Sequence, residues 1–206
     1  MNSEKILFTS FIAFFSLIVT TVRADEVKLE SGSLNFLKGE TAICVRYIYD
    51  GMRVDDKAEA DFISFQMGEQ NKGGPGKGDE WLSHWKNDRA SRYQPLFEDR
   101  INKEVSKRSV HFASNESQTR YTLIVKILSI HPGWAGWGLI HDSSKIDAWA
   151  SFVETARPGS ALAVVGLRSV GGNGFDYNVF GRVADAFGNC GKRLGQFLMD
   201  KKVFKK

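Results

Sequence analysis

The segment from His131 to His141 contains the residue types that most readily do chemistry. The two histidines begin and end the run HPGWAGWGLIH, and Asp142 follows directly. Histidine changes its charge near neutral pH, so two histidines beside a carboxylate could act as acid and base or bind a metal ion. None of the four histidines in the chain has a partner at the spacing of a metal-binding motif. Ordinary loop histidines are therefore the simpler interpretation, and we predict no metal site.

The same segment carries Trp134 and Trp137 among three glycines. Two large aromatic side chains are uncommon in a surface loop unless they pack against the protein or bind something. One interpretation is that both rings fold back onto the edge of a sheet. The other is that they form a platform for a ligand or a partner, with His131 and His141 beside them.

Two further motifs resemble nucleotide-binding and catalytic signatures but lack essential members. Gly76-Lys77 lies in a glycine-rich stretch, yet Gly78 stands where a phosphate-binding loop needs Ser or Thr. Ser83 and Lys86 have the Ser-x-x-Lys spacing of penicillin-recognising enzymes, but the companion motifs of those enzymes are absent. We therefore predict that the protein uses no cofactor and that it is an interaction module rather than an enzyme.

An acidic cluster lies around the start of the first predicted helix. Its four members are Asp55, Asp56, Glu59 and Asp61. The order of these residues does not match a calcium-binding EF-hand loop, because no glycine stands at the sixth position. A solvated helix start, favoured by the helix dipole, explains the cluster more simply.

Cys44 and Cys190 are the two cysteines of the chain. In an oxidising compartment they could form a disulfide, which across so long a loop would contribute about 4–5 kcal/mol. The alternative is two separately buried thiols. Cys44 belongs to the strand face opposite Ile43, Val45 and Tyr47, and this placement favours the alternative.

The N-terminal residues predict export. An uncharged run, ILFTSFIAFFSLIVTTV, fills residues 6–22, and Val22-Arg23-Ala24 has the small residues that a signal peptidase requires. We predict a signal peptide over residues 1–24 and a periplasmic or secreted protein with no membrane span after cleavage. An uncleaved anchor over residues 6–22 is the alternative, although this run is short for a membrane span.

The charge of the chain argues against nucleic-acid binding. The 206 residues carry a formal net charge of +4 at pH 7, and loss of Glu4, Lys5 and Arg23 with the signal peptide would leave +3. The remaining basic residues are scattered apart from a few at the C-terminus, whereas nucleic-acid binding needs a clustered patch. We therefore expect no nucleic acid as a partner, but an envelope protein or a small ligand.

Hydrophobic periodicity predicts both strands and helices. Alternating apolar residues predict strands over residues 41–49, 110–113, 120–130, 145–155 and 161–170. Helical spacing predicts helices over residues 58–70, 80–93, about 95–107 and 178–198. The Pro-Gly pair in Arg157-Pro158-Gly159-Ser160 is a type II turn signal, which should join the last two strands as a hairpin.

The last predicted helix has one narrow apolar face. Its polar residues fall on the other side: Arg182, Asp185, Asn189, Lys192, Arg193 and Gln196. Gly181, Gly188 and Gly195 flank the apolar stripe, and each costs about 1 kcal/mol relative to Ala inside a helix. We expect this cost to be offset by close approach to a neighbouring backbone, that of the sheet. A dimer seam of small residues is the alternative.

These elements predict a single α+β domain over residues 25–206. Its sheet would be mainly antiparallel, with about five strands, and helices would cover one face. The long amphipathic helix at the C-terminus would be the principal helix of that layer.

The C-terminal part of the chain resembles that of small exported proteins from Bacteroidetes-type bacteria, which carry domains of unknown function. The resemblance lies in the final helix with Gly171-Gly172-Asn173-Gly174 ahead of it, and in the predicted strands 120–130 and 145–155. It implies a periplasmic or outer-surface location. No functional residue can be transferred from it.

The patterns together lead to one functional hypothesis and one rival. The hypothesis is an exported, non-enzymatic binding or envelope-assembly module that recognises its partner through Trp134, Trp137, His131 and His141. The rival is a small periplasmic hydrolase with a site near His131, His141 and Asp142.

Overall fold

A computed structural model describes residues 26–115, 118–136, 141–172 and 176–204. The strands are β1 (Glu26–Gly32), β2 (Ala42–Ile48), β3 (Arg53–Val54), β4 (Lys57–Ala58), β5 (His111–Ala113), β6 (Tyr121–His131), β7 (Trp134–Ala135), β8 (His141–Asp142), β9 (Lys145–Glu154) and β10 (Arg157–Gly171). The helices are α1 (Glu59–Asn71), α2 (Lys77–Asp88), α3 (Gln94–Val105) and α4 (Val179–Asp200). The predicted signal peptide lies outside the described residues.

Eight strands form one mixed sheet. Its main order is β1-β10-β9-β6-β2-β5, with β3 paired to both β6 and β4, while β7 and β8 form a separate small ribbon. The pairs β1–β10, β10–β9 and β9–β6 are antiparallel, whereas β2 is parallel to both β6 and β5. The α+β class is confirmed, but a mainly antiparallel sheet of five strands is wrong. The parallel pairs arise because α1, α2 and α3 lie between β2 and β5 in the chain, and parallel strands need such a crossover.

The strand β1 was not predicted from the sequence. It is an edge strand with only two apolar residues, Val27 and Leu29, which alternate with charged residues over a short stretch. These two residues pack partly against the core, and the strand pairs with β10. An edge strand needs little apolar surface, so its pattern in the sequence is weak.

The predicted hairpin between β9 and β10 is confirmed, but its turn lies earlier than expected. Arg157 already pairs with Glu154, so Thr155 and Ala156 make the turn. The Pro-Gly pair falls inside β10, in a stretch where the register with β9 shifts before Ala161. Proline in a strand is tolerated at such an irregularity because it cannot donate to the ladder.

The two faces of the sheet differ. On β6, Leu123, Val125 and Ile127 are at most 1% exposed and belong to the core under the helices. Their neighbours Ile124 and Lys126 point the other way and stay at least partly exposed. We call these the covered face and the open face.

Helix α4 lies close to α3 through glycines. A Cβ atom at Gly191 would lie 2.2 Å from the backbone oxygen of Phe97, and one at Gly195 would lie 3.2 Å from that of Ile101. Of the three glycines that the sequence singled out, Gly195 therefore lies near a neighbouring backbone, whereas Gly181 and Gly188 face the side chains of Asp176 and Arg100. The backbone is that of α3 rather than of the sheet, so this glycine seam is filled within the chain.

The polar side of α4 is less exposed than its sequence suggested. Arg182 is only 5% exposed and Asn189 only 6%. The Asn189 amide accepts a hydrogen bond from Arg100 Nη1 at 2.5 Å and donates one to the Gly171 carbonyl at 2.8 Å. Both residues are buried because hydrogen bonds satisfy their polar groups, which an apolar pattern does not reveal.

Cys44 and Cys190 are both buried, and both thiols are free. Cys190 belongs to the core on the covered face, whereas Cys44 lies on β2 between Ile43 and Val45, whose side chains enter that core. Alternation along β2 therefore puts Cys44 on the opposite side of the sheet. The sheet separates the two thiols, and the structure forms no disulfide between them.

Within the described part of the chain, no helix is both long and apolar enough to cross a membrane.

Candidate functional site

Several connections meet at one end of the sheet, which we call the loop end: residues 132–136, 141–144 and 176–178. Strand β6 ends there at His131, and β9 begins beside it at Lys145, its cross-strand partner. The β7–β8 ribbon lies between these two strands in the chain, and α4 begins just after the last segment. The loop end therefore contains Trp134, His141 and Asp142, and it adjoins His131 at the end of β6.

Four ionisable side chains form a charged cluster at this end: Asp55, His131, Asp142 and Lys145. The His131 Nε2 atom lies 2.7 Å from Asp142 Oδ2, and its Nδ1 atom contacts Asp55 Oδ1. Lys145 Nζ donates to the other oxygen of Asp142 at 2.9 Å. The structure thus brings the predicted residues His131 and Asp142 into direct contact. The sequence did not indicate Asp55, which is 76 residues from His131.

The two contacts of His131 decide what its ring can do. A neutral imidazole has one N–H donor, so only the protonated ring can donate to Asp55 and Asp142 at the same time. A histidine that serves as a general base keeps one nitrogen free for the proton it accepts. Both nitrogens contact a carboxylate here, so His131 links β6 to the β3–β4 turn and to β8.

Asp142 is held in its ionised form. Partial burial works to raise its pKa, but hydrogen bonds and charges from Lys145 and His131 outweigh burial and leave the pKa below its ordinary value. Among the residues that the structure describes, no group of three or more His, Cys, Asp or Glu side chains is arranged to hold a metal ion.

The base of the loop end is fixed by backbone contacts. The buried Ser144 donates its hydroxyl to the His131 carbonyl at 2.8 Å, and the Ser144 carbonyl accepts from the Gly172 N–H at 2.9 Å. Gly133 has a φ of +65°, and a Cβ there would lie 2.3 Å from the Asp142 carbonyl oxygen. Only glycine fits this close crossing of two chain segments.

The buried Arg182 joins two segments of the loop end. Its guanidinium donates to the carbonyls of Asp176 at 2.7 Å and Tyr177 at 2.9 Å, and to those of Pro132 at 3.3 Å and Gly133 at 3.2 Å. Burial lowers the pKa of Arg182, an effect that the charge of Asp176 partly offsets. One side chain from α4 thus holds both loops in place.

Two aromatic side chains project from the segments that Arg182 joins. Trp134 is 51% exposed and Tyr177 is 73% exposed. About half of the Trp134 side chain is therefore open to solvent. Trp137 lies outside the described residues, and of His141 only the backbone, paired with Ala135, is described.

A second concave region lies near the start of α1 and was not indicated by the sequence. A cavity of about 520 Å³ is lined in part by Tyr49, Glu59 and Arg89. The Arg89 guanidinium lies 4.5 Å from the centre of the Tyr49 ring and pairs with Glu59, which also accepts from Trp85 Nε1 at 2.8 Å. Burial raises the pKa of Tyr49 to about 12. These polar groups already satisfy one another.

The Ser-x-x-Lys pair lies on an exposed part of α2. Ser83 and Lys86 are both exposed, and the Ser83 hydroxyl accepts from the Asn87 amide at 3.1 Å. No described contact joins Ser83 to Lys86. The pair therefore has the surroundings of a solvated helix face.

Comparison with known proteins adds two distant structural similarities. No protein-family model and no curated protein sequence matches the chain. A PelC dodecamer from Paraburkholderia phytofirmans is 10% identical over 80% of this chain and 97% of that one, with a TM-score of 0.35. A variant of the same dodecamer is 10% identical over 82% of this chain and 99% of that one, also with a TM-score of 0.35. Similarity at this level supports no statement about the function of this chain.

Proposed function

We propose that the protein is an exported binding module and that the loop end is its recognition surface. The observation that carries this proposal is Trp134, half exposed on a segment whose backbone the buried Arg182 holds in place. Tyr177 stands on the second segment that Arg182 holds. Tryptophan and tyrosine are enriched where proteins bind one another, because they supply large contact areas.

The fixed backbone of the loop end favours binding. A surface that must be ordered when its partner arrives loses affinity to the entropy of ordering, whereas a surface that is already held avoids much of that cost. Arg182, Ser144 and the charged cluster hold the loop end from three sides. The cluster thus has a structural role in the proposal, and the exposed aromatic rings make the contact.

The geometry favours this function over a hydrolase. A hydrolytic site near His131 would need a ring nitrogen able to take a proton from a nucleophile or a water molecule. Asp55 and Asp142 occupy both nitrogens. The nearby Ser144 hydroxyl donates to the His131 carbonyl rather than to the ring.

Export is supported by the position of the predicted cleavage site. Cleavage after Ala24 would leave Asp25 as the first residue, directly before β1 begins at Glu26. The processed chain would therefore keep every described strand and helix. N-terminal sequencing of the protein recovered from the source cells tests this step, and a chain that begins at Met1 contradicts it.

A binding experiment with a matched variant tests the recognition surface. Immobilised wild-type protein, Trp134→Ala and Phe65→Ala are each incubated with an envelope extract of the source organism, and retained components are quantified by mass spectrometry. Phe65 is the control because it is 55% exposed, like Trp134, but lies on α1. We expect at least one component to be retained by wild type and Phe65→Ala and to fall about tenfold or more with Trp134→Ala.

Identical retention by all three proteins would contradict the proposal. A component lost equally from both variants would also contradict it, because the loss would then follow exposed aromatic surface in general. Thermal unfolding of each variant confirms that the substitutions leave the fold intact.

A further inference from the structure

The open face of the sheet is a second candidate interaction surface, separate from the loop end. Cross-strand pairing places one row of side chains across its middle: Lys28, Gly166, Trp149, Lys126 and Ile48. The contacts of the four helices are instead with residues of the covered face. The middle of this face, with a tryptophan at its centre, is thus left without a helix over it among the described residues, whereas Cys44, Thr122 and Val153 at one end of the same face are buried.

Part of this surface is apolar. Ile48 is 37% exposed, and Ile124 and Val164 are partly exposed in the adjacent row, where Ser151 pairs with both. The Glu30 side chain and the ring of Trp149 both lie over Gly166, whose missing side chain makes room for them. The central residues of the open face would therefore gain from leaving water.

Four basic side chains surround these apolar residues: Lys28, Arg46, Lys126 and Arg168. Three of them are exposed, and none of the four forms an ion pair with a described residue. The Arg168 guanidinium lies 4.1 Å from the centre of the Trp149 ring. This stacking fixes the guanidinium, and Glu26 is its cross-strand neighbour on β1.

The open face also carries three carboxylates. Glu26 and Glu30 are on the edge strand β1, and the Glu30 carboxylate reaches inward over Gly166, beside Trp149. Asp147 lies toward the loop end, where its two oxygens accept from the Ser129 hydroxyl at 3.0 Å and from the Ser169 N–H at 2.7 Å. The part of the open face formed by β6 and β2, where Arg46 pairs with Ile124 and Lys126 with Ile48, is therefore both apolar and positively charged.

We propose that the open face docks on an anionic phospholipid bilayer. Charge complementarity supports this occupant, because phospholipid headgroups supply the negative charge that Arg46 and Lys126 do not find in an ion pair among the described residues. Tryptophan is enriched at the boundary between headgroups and acyl chains, and long basic side chains reach from that boundary to the phosphates. Ile48, Ile124 and Val164 would enter the same boundary layer.

A bilayer fits this surface better than an acidic polymer does. A polymer would neutralise the basic groups but would leave the apolar residues between them in water. The interfacial layer of a membrane takes up both kinds of side chain at once. Docking of this kind is peripheral and needs no spanning helix.

Vesicle binding tests the inference. The exported protein is mixed with vesicles of phosphatidylcholine containing 30% phosphatidylglycerol (about that fraction suffices for a strongly anionic surface) and with vesicles of phosphatidylcholine alone, and the bound fraction is measured by sedimentation. We compare wild type with two double variants. The open-face double variant carries Arg46→Glu and Lys126→Glu, and the helix double variant carries Lys86→Glu and Lys103→Glu. The last pair makes the same charge change at exposed sites on α2 and α3.

We expect wild type to prefer the anionic vesicles and to lose binding as salt increases. The open-face double variant should bind at least about tenfold more weakly, while the helix double variant should bind within about threefold of wild type. All variants share one N-terminus, so an uncleaved leader cannot produce this difference. Absence of binding to anionic vesicles would overturn the proposal, as would equal losses in both double variants.

Fluorescence distinguishes the open face from the loop end. On binding to vesicles, the tryptophan emission should shift to shorter wavelength in wild type and in Trp134→Phe, and the shift should largely disappear in Trp149→Phe. A shift that depends on Trp134 instead would overturn the proposal. So would binding to heparin without binding to vesicles, because that result would identify an acidic polymer as the partner.

Discussion

The covered and open faces of the sheet are made by alternate residues of the same strands, yet they have opposite characters. On β6, Leu123 and Val125 are completely or almost completely buried under the helices, while Ile124 and Lys126 between them are not. One set of side chains holds the layers together. The other set contributes little to that packing, which leaves it free to serve binding.

The largest expected difference in stability is between alanine variants at two neighbouring residues of β6. Leu123→Ala should destabilise the protein by about 2–5 kcal/mol, because it leaves a cavity under the helices. Ile124→Ala should cost less than about 1 kcal/mol, because its side chain remains in contact with water. Urea unfolding followed by circular dichroism measures both. Equal losses would mean that a further layer covers the open face.

The glycine seam between α3 and α4 gives the next largest effect. Gly191→Ala places a Cβ against the Phe97 backbone oxygen, so the two helices must move apart to make room for it. This substitution should destabilise the protein by about 1–3 kcal/mol. Gly68→Ala is the matched control, because Gly68 lies within α1 with no atom within 4 Å of its added Cβ. That substitution should be neutral or stabilise by up to about 1 kcal/mol.

A stabilising or neutral Gly191→Ala would show that α3 and α4 are not in close contact in solution. The covered layer would then be looser than the structure shows. Differential scanning calorimetry of both variants under one condition separates this outcome from a general effect of alanine on helices.

Much of the covered layer could be predicted from the sequence, because periodicity records which side chains are buried. Strands β2, β6 and β9 and helix α4 follow from alternating or helical spacing of apolar residues. The parallel pairing of β2 with β6 could not be predicted, since spacing within a strand does not say which strands meet. Arg182 was placed on the solvent side for a similar reason: its burial depends on carbonyl groups far away in the chain.

The candidate sites were harder to predict. His131, Asp142 and Trp134 were found because they lie within one short segment. Asp55 contacts His131 across 76 residues, and no local pattern connects them. The open face was invisible for another reason: a charged residue alternating with an apolar one predicts only a half-buried strand, whether or not the exposed half binds something.

Raising the pH tests whether the tyrosine side chains of the covered face are buried. Burial raises the pKa of Tyr49 to about 12, and it raises the pKa values of Tyr47 and Tyr93 further still. The unfolded chain ionises these phenols near pH 10, so stability should be constant below that pH and fall as pH rises through the folded pKa values. Tyr49 alone should contribute a loss on the order of 2 kcal/mol between pH 10 and 12.

Absorbance at 295 nm and circular dichroism across this pH range measure the alkaline effect. Ionisation of the buried phenols should coincide with loss of the fold, and Tyr49→Phe should reduce the slope of stability against pH. Ionisation of all the phenols well before unfolding would contradict the burial of this side of the sheet.

The smallest expected effect on stability concerns Asp142 at the loop end. The folded pKa of Asp142 is below its unfolded value, so its contribution to stability is present above about pH 4 and is lost as pH falls through the folded pKa. Since the side chain is 34% exposed, solvent screens the interaction, and the contribution should not exceed about 1 kcal/mol. Urea unfolding at pH 7 and pH 3 should therefore show a small deficit for Asp142→Asn at pH 7 that shrinks at pH 3, whereas Asp50→Asn, at an exposed turn, should show none. A deficit that is unchanged at pH 3 would mean that Asp142 acts through packing rather than through its charge.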